Sequence, residues 1–321
     1  MSKVRQFMAL LVGAVCCTAA AAWEPEDDIT LVVAYKAGTA TDTCARLLAE
    51  EAQKRLKHKV VVKNVPGDDG MTGWTELTKA KPDGLTIGYI NLPTFTTLAN
   101  EPGAPFKVTD LKPLVNHVTQ TAVVVVRADS KFKSLDELVQ AARDSGNLRV
   151  STNGYRASNH IAVELFARSA AFKYERLDRD GTADQLKALL DGRVDFSCAK
   201  SSDVKELLKS KKLRVLGVFS HERMKNYPEV PSLSELGYYD MWWGTMRGLA
   251  APAQVDAGVV DFYDALFKEV LTDPKVIAAH DKLGLHIDYR DHQEFLMTVA
   301  AQSRLSKEVL ALLFREEIKD N

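Results

Sequence analysis

The stretch Ile29-Thr30-Leu31-Val32-Val33-Ala34-Tyr35-Lys36-Ala37-Gly38-Thr39-Ala40-Thr41-Asp42-Thr43-Cys44-Ala45-Arg46-Leu47-Leu48, with its continuation to Val62, decides the fold. Ile29 to Ala34 is a short apolar run that ends in a polar turn, which predicts a buried strand. The turn contains Gly38. From Asp42 onward, Ala45, Leu48, Ala52 and Leu56 recur on one face, so a helix is expected there. Val60-Val61-Val62 then supplies a second strand. A strand, a helix and a second strand in this order form a βαβ unit, whose parallel strands need cover on both faces. The chain therefore belongs to the α/β class.

The same alternation extends outward from this unit. A loop over Asn64 to Gly73 leads into a short helix ending near Lys79, the turn Lys81-Pro82-Asp83-Gly84 and a strand from Leu85 to Ile90. A second series starts near Ala122 to Val126, and Ser134-Leu135-Asp136-Glu137 is a capping box for a helix to about Arg143. Strands follow at Leu148–Ser151, Phe172–Leu177, Val194–Cys198 and Arg214–Ser220, separated by helices at Ser158–Ala170, Thr182–Leu190 and from Ser202. His221 to Tyr239 is polar and carries Pro228 and Pro231, as a connection does. Beyond a strand at Thr245–Ala250, the remainder is helical over Val255–Leu271, Pro274–Leu283 and Asp291–Arg315. That block has too few strands to stand alone, so it is expected to pack on the first unit. The resulting division is 23–125 with 222–321 as one domain and 126–221 as the other, two Rossmann-like domains joined by a hinge with a cleft between them.

Composition narrows the function. The 321 residues allow about two domains at roughly 150 residues each. Forty-two Lys and Arg against 43 Asp and Glu give a formal charge of −1, which leaves no global field for a nucleic acid or an anionic membrane. Lys3 and Arg5 precede a charge-free run from Phe7 to Ala22 that ends Ala20-Ala21-Ala22, the pattern of a cleaved secretory signal over 1–22. Its removal takes the charge to −3 and leaves Cys44 and Cys198, expected as separate buried thiols, in an oxidising compartment.

Strong catalytic signatures are absent from the sequence. It contains no G-x-S-x-G elbow, no P-loop and no His-Glu-x-x-His, and no two of its seven histidines are spaced i, i+4. Ser130-x-x-Lys133 and Ser202-x-x-Lys205 match a short pattern that recurs by chance. Neither a metal nor a cofactor is expected. An exported two-domain chain of this kind binds and releases a ligand.

Three loops lie where open α/β domains bind ligands, after a strand and before a helix N-terminus. They are Tyr35–Asp42, Ser151–His160 and Arg179-Asp180-Gly181-Thr182. Their small and hydroxylated residues let backbone amides approach an oxyanion. Here the sequence resembles the periplasmic receptors of tripartite tricarboxylate transporters, the TctC-like or Bug family. The resemblance rests on Tyr35, Ala37, Gly38, Asp42, Ala45 and Arg46, on Asn64-Val65-Pro66-Gly67 with Gly70, and on Lys81-Pro82-Asp83-Gly84. It continues at Ser158-Asn159-His160, Leu189 to Asp195, Pro228 to Ser232 and Gly248 to Pro252.

The resemblance implies a two-lobed Venus-flytrap fold without cofactor that hands a small carboxylate to a membrane permease, with the receptor itself a monomer. It points to Gly38, Thr39, Thr41 and Asp42 in the first loop and to Thr152, Asn153, Ser158, Asn159 and His160 in the second as ligand contacts. Asp42 reads equally well as a helix N-cap, and His160 as a first-turn packing residue. Departures from the family pattern are Thr39, Arg156 and the third loop with Arg179, Gly181 and Thr182. Lys36, Arg156 and Arg179 are candidates to neutralise a second carboxylate, and Trp242-Trp243 to stack on a planar ligand. The alternatives are an exported hydrolase built on Ser202 and Lys205, and a receptor that reports to a sensor kinase.

Overall fold

The computed structural model describes residues 22–154, 157–179 and 181–317. The expected signal, apart from its last residue, therefore lies outside the described residues, as do Arg156 and Asp180.

The opening unit forms as the sequence predicts, with β1 (Ile29–Val33), α1 (Ala40–Gln53) and β2 (Val60–Asn64). Thr39 caps α1 by accepting the Asp42 N–H, a role the sequence reading gave to Asp42. Next come α2 (Met71–Thr78), β3 (Thr86–Leu92), α3 (Thr94–Ala99) and β4 (Leu111–Arg127). α4 (Leu135–Ser145) starts at its Ser134 cap and ends at Gly146, whose φ of +66° suits the left-handed stop. The second series is β5 (Leu148–Thr152), α5 (Ser158–Ser169), β6 (Tyr174–Asp178), α6 (Thr182–Leu190), β7 (Phe196–Lys200), α7 (Ser201–Lys209) and β8 (Leu213–Val218). The chain ends with β9 (Gly244–Pro252), α8 (Ala257–Thr272), α9 (Pro274–Lys282), β10 (Ile287–Arg290) and α10 (His292–Glu317).

Two lobes share one strand. In the first lobe β2, β1 and β3 are parallel, β9 runs antiparallel to β3 and β4, and β10 pairs with β4. In the second lobe β6, β5 and β7 are parallel, and β4 runs antiparallel to β7 and β8. β4 pairs with β9 from Leu111 to Thr121 and with β7 from Ala122 to Val125, so the first crossing falls at Thr121–Ala122. Sequence reasoning found only the second half of this strand. Its first half, Leu111 to Thr121, carries Asn116, His117, Gln120 and Thr121, which look like loop residues yet are buried. Their partners come from distant sequence: Asn116 Nδ2 donates to the Asp288 carbonyl (2.7 Å), and His117 meets His280 (3.0 Å between Nε2 atoms).

The chain returns at Trp243–Gly244. The Ala122 N–H donates to the Trp243 carbonyl (2.9 Å), and Trp243 N–H to that of Phe219 (3.1 Å). Phe219, Leu233, Tyr239 and Trp243 pack with Phe166 on the second sheet. Both sheets are covered on both faces, as parallel strands require. One face of the first sheet holds Leu48, Tyr89, Tyr263 and Phe267, and the other holds Trp74, Phe95, Phe106 and Phe295. The second sheet packs Phe166 and Phe196 on one face and Leu189 and Val204 on the other. Cys44 and Cys198 are separate buried thiols in different lobes, and burial pushes both up.

Candidate functional site

The first loop is held by a single carboxylate. Asp42, 3% exposed, accepts the Gly38 N–H (2.9 Å) and Arg46 Nε (3.0 Å) on Oδ2, and Asn64 Nδ2 (2.8 Å) on Oδ1. Burial alone would raise its pKa. The hydrogen bonds from Arg46, Asn64 and Gly38 outweigh that effect and hold the carboxyl below the usual range. Gly38 takes φ +81°, a conformation that glycine adopts without strain, and this turns its N–H back onto Asp42. Both groups are thus engaged inside the loop. Thr39 Oγ1 donates to the Lys36 carbonyl (2.9 Å), and Lys36 itself is exposed. Thr41, at the start of α1, accepts from Asn91 Nδ2 on β3 (2.8 Å). Tyr35 packs edge-on to Trp74 (6.0 Å), and burial keeps its phenol neutral.

The second and third loops lie side by side, with the Arg179 N–H donating to the Thr152 carbonyl (3.1 Å). Thr152 Oγ1 donates to Asp178 (2.5 Å), and Asn153 Oδ1 accepts the Asn159 N–H (3.2 Å). Beneath them the buried Gln185 accepts from Asn159 Nδ2 (2.7 Å) and donates to Ser197 Oγ (2.6 Å), the Cys198 carbonyl (2.6 Å) and the Ser151 carbonyl (3.2 Å). Sequence reasoning did not single out this glutamine. His160 is fully buried and faces Arg176 (2.7 Å) and Glu164 (3.5 Å). Gly181, at φ +87°, precedes Thr182 at the start of α6.

Two helix N-termini are tied to the crossing strands, and a third to β3, which pairs with β9. α1 is tied through Thr41 to Asn91. At α5, Trp243 Nε1 donates to the Ser158 carbonyl (3.1 Å). At α7, Gln120 Nε2 donates to Ser202 Oγ (2.5 Å). Such termini present unpaired N–H groups and a partial positive charge. Trp243 is buried and spent on this contact, while the half-buried Trp242 donates to Thr121 Oγ1 (3.2 Å). Lys205 Nζ reaches the Asp281 carbonyl (3.3 Å) in the other lobe.

Two buried basic residues lie on the strands rather than in the loops, and the loop search missed both. Arg247 on β9 is 8% exposed, and its Nη1 donates to Gln120 Oε1. Its Nε, like Asn91 Oδ1 on the adjacent strand, is buried without a partner. Asn91 and Arg247 are paired in the β3–β9 register. Lys200, 7% exposed, closes β7. Burial pushes its pKa down to about 8; Asp203 opposes that shift and the Arg247 charge adds to it. The available signal was an arginine within a strand whose nine residues are all buried.

A two-lobed α/β frame with helix N-termini gathered at its crossing defines a solute receptor of the periplasmic-binding type. The sequence profile described as "Tripartite tricarboxylate transporter family receptor" matches residues 44–313, and the chain belongs to that family. It is 30% identical over 267 residues to a UPF0065 protein of a Pseudomonas species, covering 81% of this chain and 79% of that protein. A TctC solute-binding protein from Polaromonas superposes with a TM-score of 0.81 at 26% identity, covering 89% and 99% of the two chains. MatC from Rhodopseudomonas palustris, solved with bound malate, gives a TM-score of 0.74 at 24% identity, covering 89% and 99%.

Proposed function

We propose that this chain is an exported receptor that captures a small organic carboxylate between its lobes and delivers it to the membrane permease of a tripartite tricarboxylate-type transporter. It acts in the periplasm as a monomer after removal of residues 1–22, and it binds and releases without chemistry. The lobes divide at Thr121–Ala122 and Trp243–Gly244, and closure by hinge motion would couple binding to a shape the permease reads. The observation that carries this reading is the tying of the α5 and α7 N-termini to the crossing strands, with the α1 N-terminus tied to the adjacent β3. Support comes from the family membership and from the malate held by a protein of the same fold.

Within this reading the first loop, with Tyr35, Lys36, Gly38, Thr39, Thr41 and Asp42, forms one wall. Thr152, Asn153, Ser158, Asn159, Arg179, Gly181 and Thr182 form the other. Asp42 and His160 act by holding loop and lobe rather than by touching ligand. Calorimetry of the mature protein against an organic-acid panel tests the reading. One-to-one binding with the acid recovered unchanged is expected. Binding of none of the panel, or turnover of the matching esters and amides, would overturn it.

A further inference from the structure

We propose a second ligand site on the first lobe, a groove along α10 that takes a medium-chain aliphatic carboxylate. The chain lies on Leu296, Val299 and Ala300, and the acid meets a basic rim of Lys107, Lys112 and Lys307. The inference neither uses nor requires the receptor reading.

The groove follows from the pattern of α10. Phe295 and Val299 are buried in the first-lobe core and anchor the helix there. His292, Leu296, Ala300, Ser303 and Lys307 recur three or four residues apart, so they form a stripe beside that anchor. Leu296 is 41% exposed, and a single exposed leucine would need no explanation. Here a second wall stands across from it, made by Val108, Leu111 and Pro113 where the chain enters β4. The space between the walls is ≈ 620 Å³, within the roughly 300–1,000 Å³ of small-molecule sites. The walls are braced near both ends, so the space is held open. His292 Nδ1–H donates to the Pro113 carbonyl (2.6 Å), and Asn100 Nδ2 donates to Ser303 Oγ (3.1 Å). From Leu296 to Lys307 the stripe runs about 16 Å at 1.5 Å per residue, the length scale of a medium-chain acid.

The rim selects the head group. Three lysines line the groove, and no Asp or Glu does. Lys112 Nζ rests on a neutral partner, the Val255 carbonyl (2.8 Å). Asp110, close by in sequence, is turned onto the Lys107 backbone N–H (2.8 Å) rather than onto an ammonium group. Among the described residues Lys107 and Lys307 have no ion-pair partner. An apolar floor with an unrelieved basic rim is the complement of an amphipathic anion. A helix that binds a bilayer turns its apolar face outward, whereas this floor lies between two walls and fits a single chain. The groove is also remote from the cleft at its β4 end. Leu111 opens β4 and Thr121 marks the crossing, about 30 Å apart along the strand.

Decanoate, hexanoate and the neutral decanol, each below any micelle-forming concentration, are titrated into the mature protein by calorimetry. Decanoate should bind one-to-one, roughly tenfold or more tighter than hexanoate because its extra methylenes lie on the apolar floor. It should also bind roughly threefold or more tighter than decanol, as exposed charges allow. Lys107→Glu combined with Lys307→Glu should bring decanoate to or below decanol. Leu296→Glu puts a charge on the floor and Ala300→Trp fills it, and each should weaken decanoate roughly tenfold or more. Both positions are exposed, so the unliganded urea midpoints should stay near wild type. A wild type that binds no decanoate overturns the inference and leaves the receptor reading standing. Equal decanoate affinity in wild type, Leu296→Glu and Ala300→Trp puts the acid elsewhere and overturns it as well. Sedimentation with phosphatidylglycerol vesicles, or self-association in the ultracentrifuge, that Leu296→Glu abolishes would give the groove to a bilayer or to a second copy and overturn the free acid.

Discussion

The sharpest consequence of the site geometry concerns Asp42, whose carboxylate organises the first loop. Replacing it with alanine removes three hydrogen bonds, from Gly38 N–H, Asn64 Nδ2 and Arg46 Nε. Bonds to a charged acceptor are worth about 1.5–3 kcal/mol each. Arg46 is discounted because its side chain is 50% exposed and its charge returns to water, so it counts for about 0.2–1 kcal/mol. Gly38 is exposed and its freed N–H can be hydrated, while Asn64 keeps its bond to the Tyr35 carbonyl (3.0 Å). The expected loss is therefore about 2–4 kcal/mol for Asp42→Ala, with about half of that for Asp42→Asn. Urea denaturation followed by tryptophan fluorescence measures it, with the slope checked for constancy. The pH dependence gives an independent check. The folded carboxyl titrates below its ordinary 3.8, so its stabilisation is complete above the unfolded value and fades as pH falls through the folded one. Wild type and Asp42→Asn should then converge below about pH 4. A cost under about 0.5 kcal/mol for Asp42→Ala at pH 7 would refute the assignment.

Two further predictions concern the interior. Gln185→Leu takes their side-chain partner from the Asn159 amide and the Cys198 carbonyl, while the Ser151 carbonyl keeps Ser197 Oγ (2.8 Å), and should cost about 2–4 kcal/mol by denaturation and weaken ligand binding; a loss below about 1 kcal/mol contradicts the role given to it. His117 is held neutral by burial, by His280 and by Arg247, so its pKa lies well below 6.5. Its contribution is present above about pH 6.5 and is lost as pH falls, at up to about 1.4 kcal/mol per pH unit. The stability gap between wild type and His117→Leu should narrow in acid; a constant gap from pH 7 to 5 would count against it.

How much of this was legible follows from where each signal resides. The β1–α1–β2 unit was readable almost to the residue, because an apolar run, a polar turn and a one-sided apolar face are local features. The loops at strand ends were readable for the same reason. What was hidden depends on partners far along the chain. His117 looks like a loop residue until His280 Nδ1 is seen bonding to the Val276 carbonyl (2.8 Å). His280 Nε2 is then the acceptor for His117 Nε2–H, and His117 Nδ1 for Tyr89 O–H (2.7 Å). Every polar atom of both rings is satisfied in the neutral state, so a polar segment can lie inside a sheet. The four-residue β10 and six-residue α3 are too short to show a period. Asp42 was noticed for its chemistry, and its bonds to Gly38 N–H, Arg46 and Asn64 are what fix the first loop.

The crossing itself constrains how binding can change shape. β4 is continuous through both sheets, and beside it the return strand begins at Gly244, where a Cβ would lie 2.2 Å from the Gln120 carbonyl oxygen. Only glycine permits that approach, so the two strands are locked close at the point where the sheets part. Motion between the lobes must then be a twist or bend of this narrow ribbon rather than a sliding of one sheet on the other. Gln120 sits on the ribbon, accepting from Arg247 in the first lobe and donating to Ser202 in the second. Its side-chain amide thus joins the two lobes at the crossing. Substituting Gln120 should alter ligand affinity and the lobe separation measured by solution scattering together, not separately.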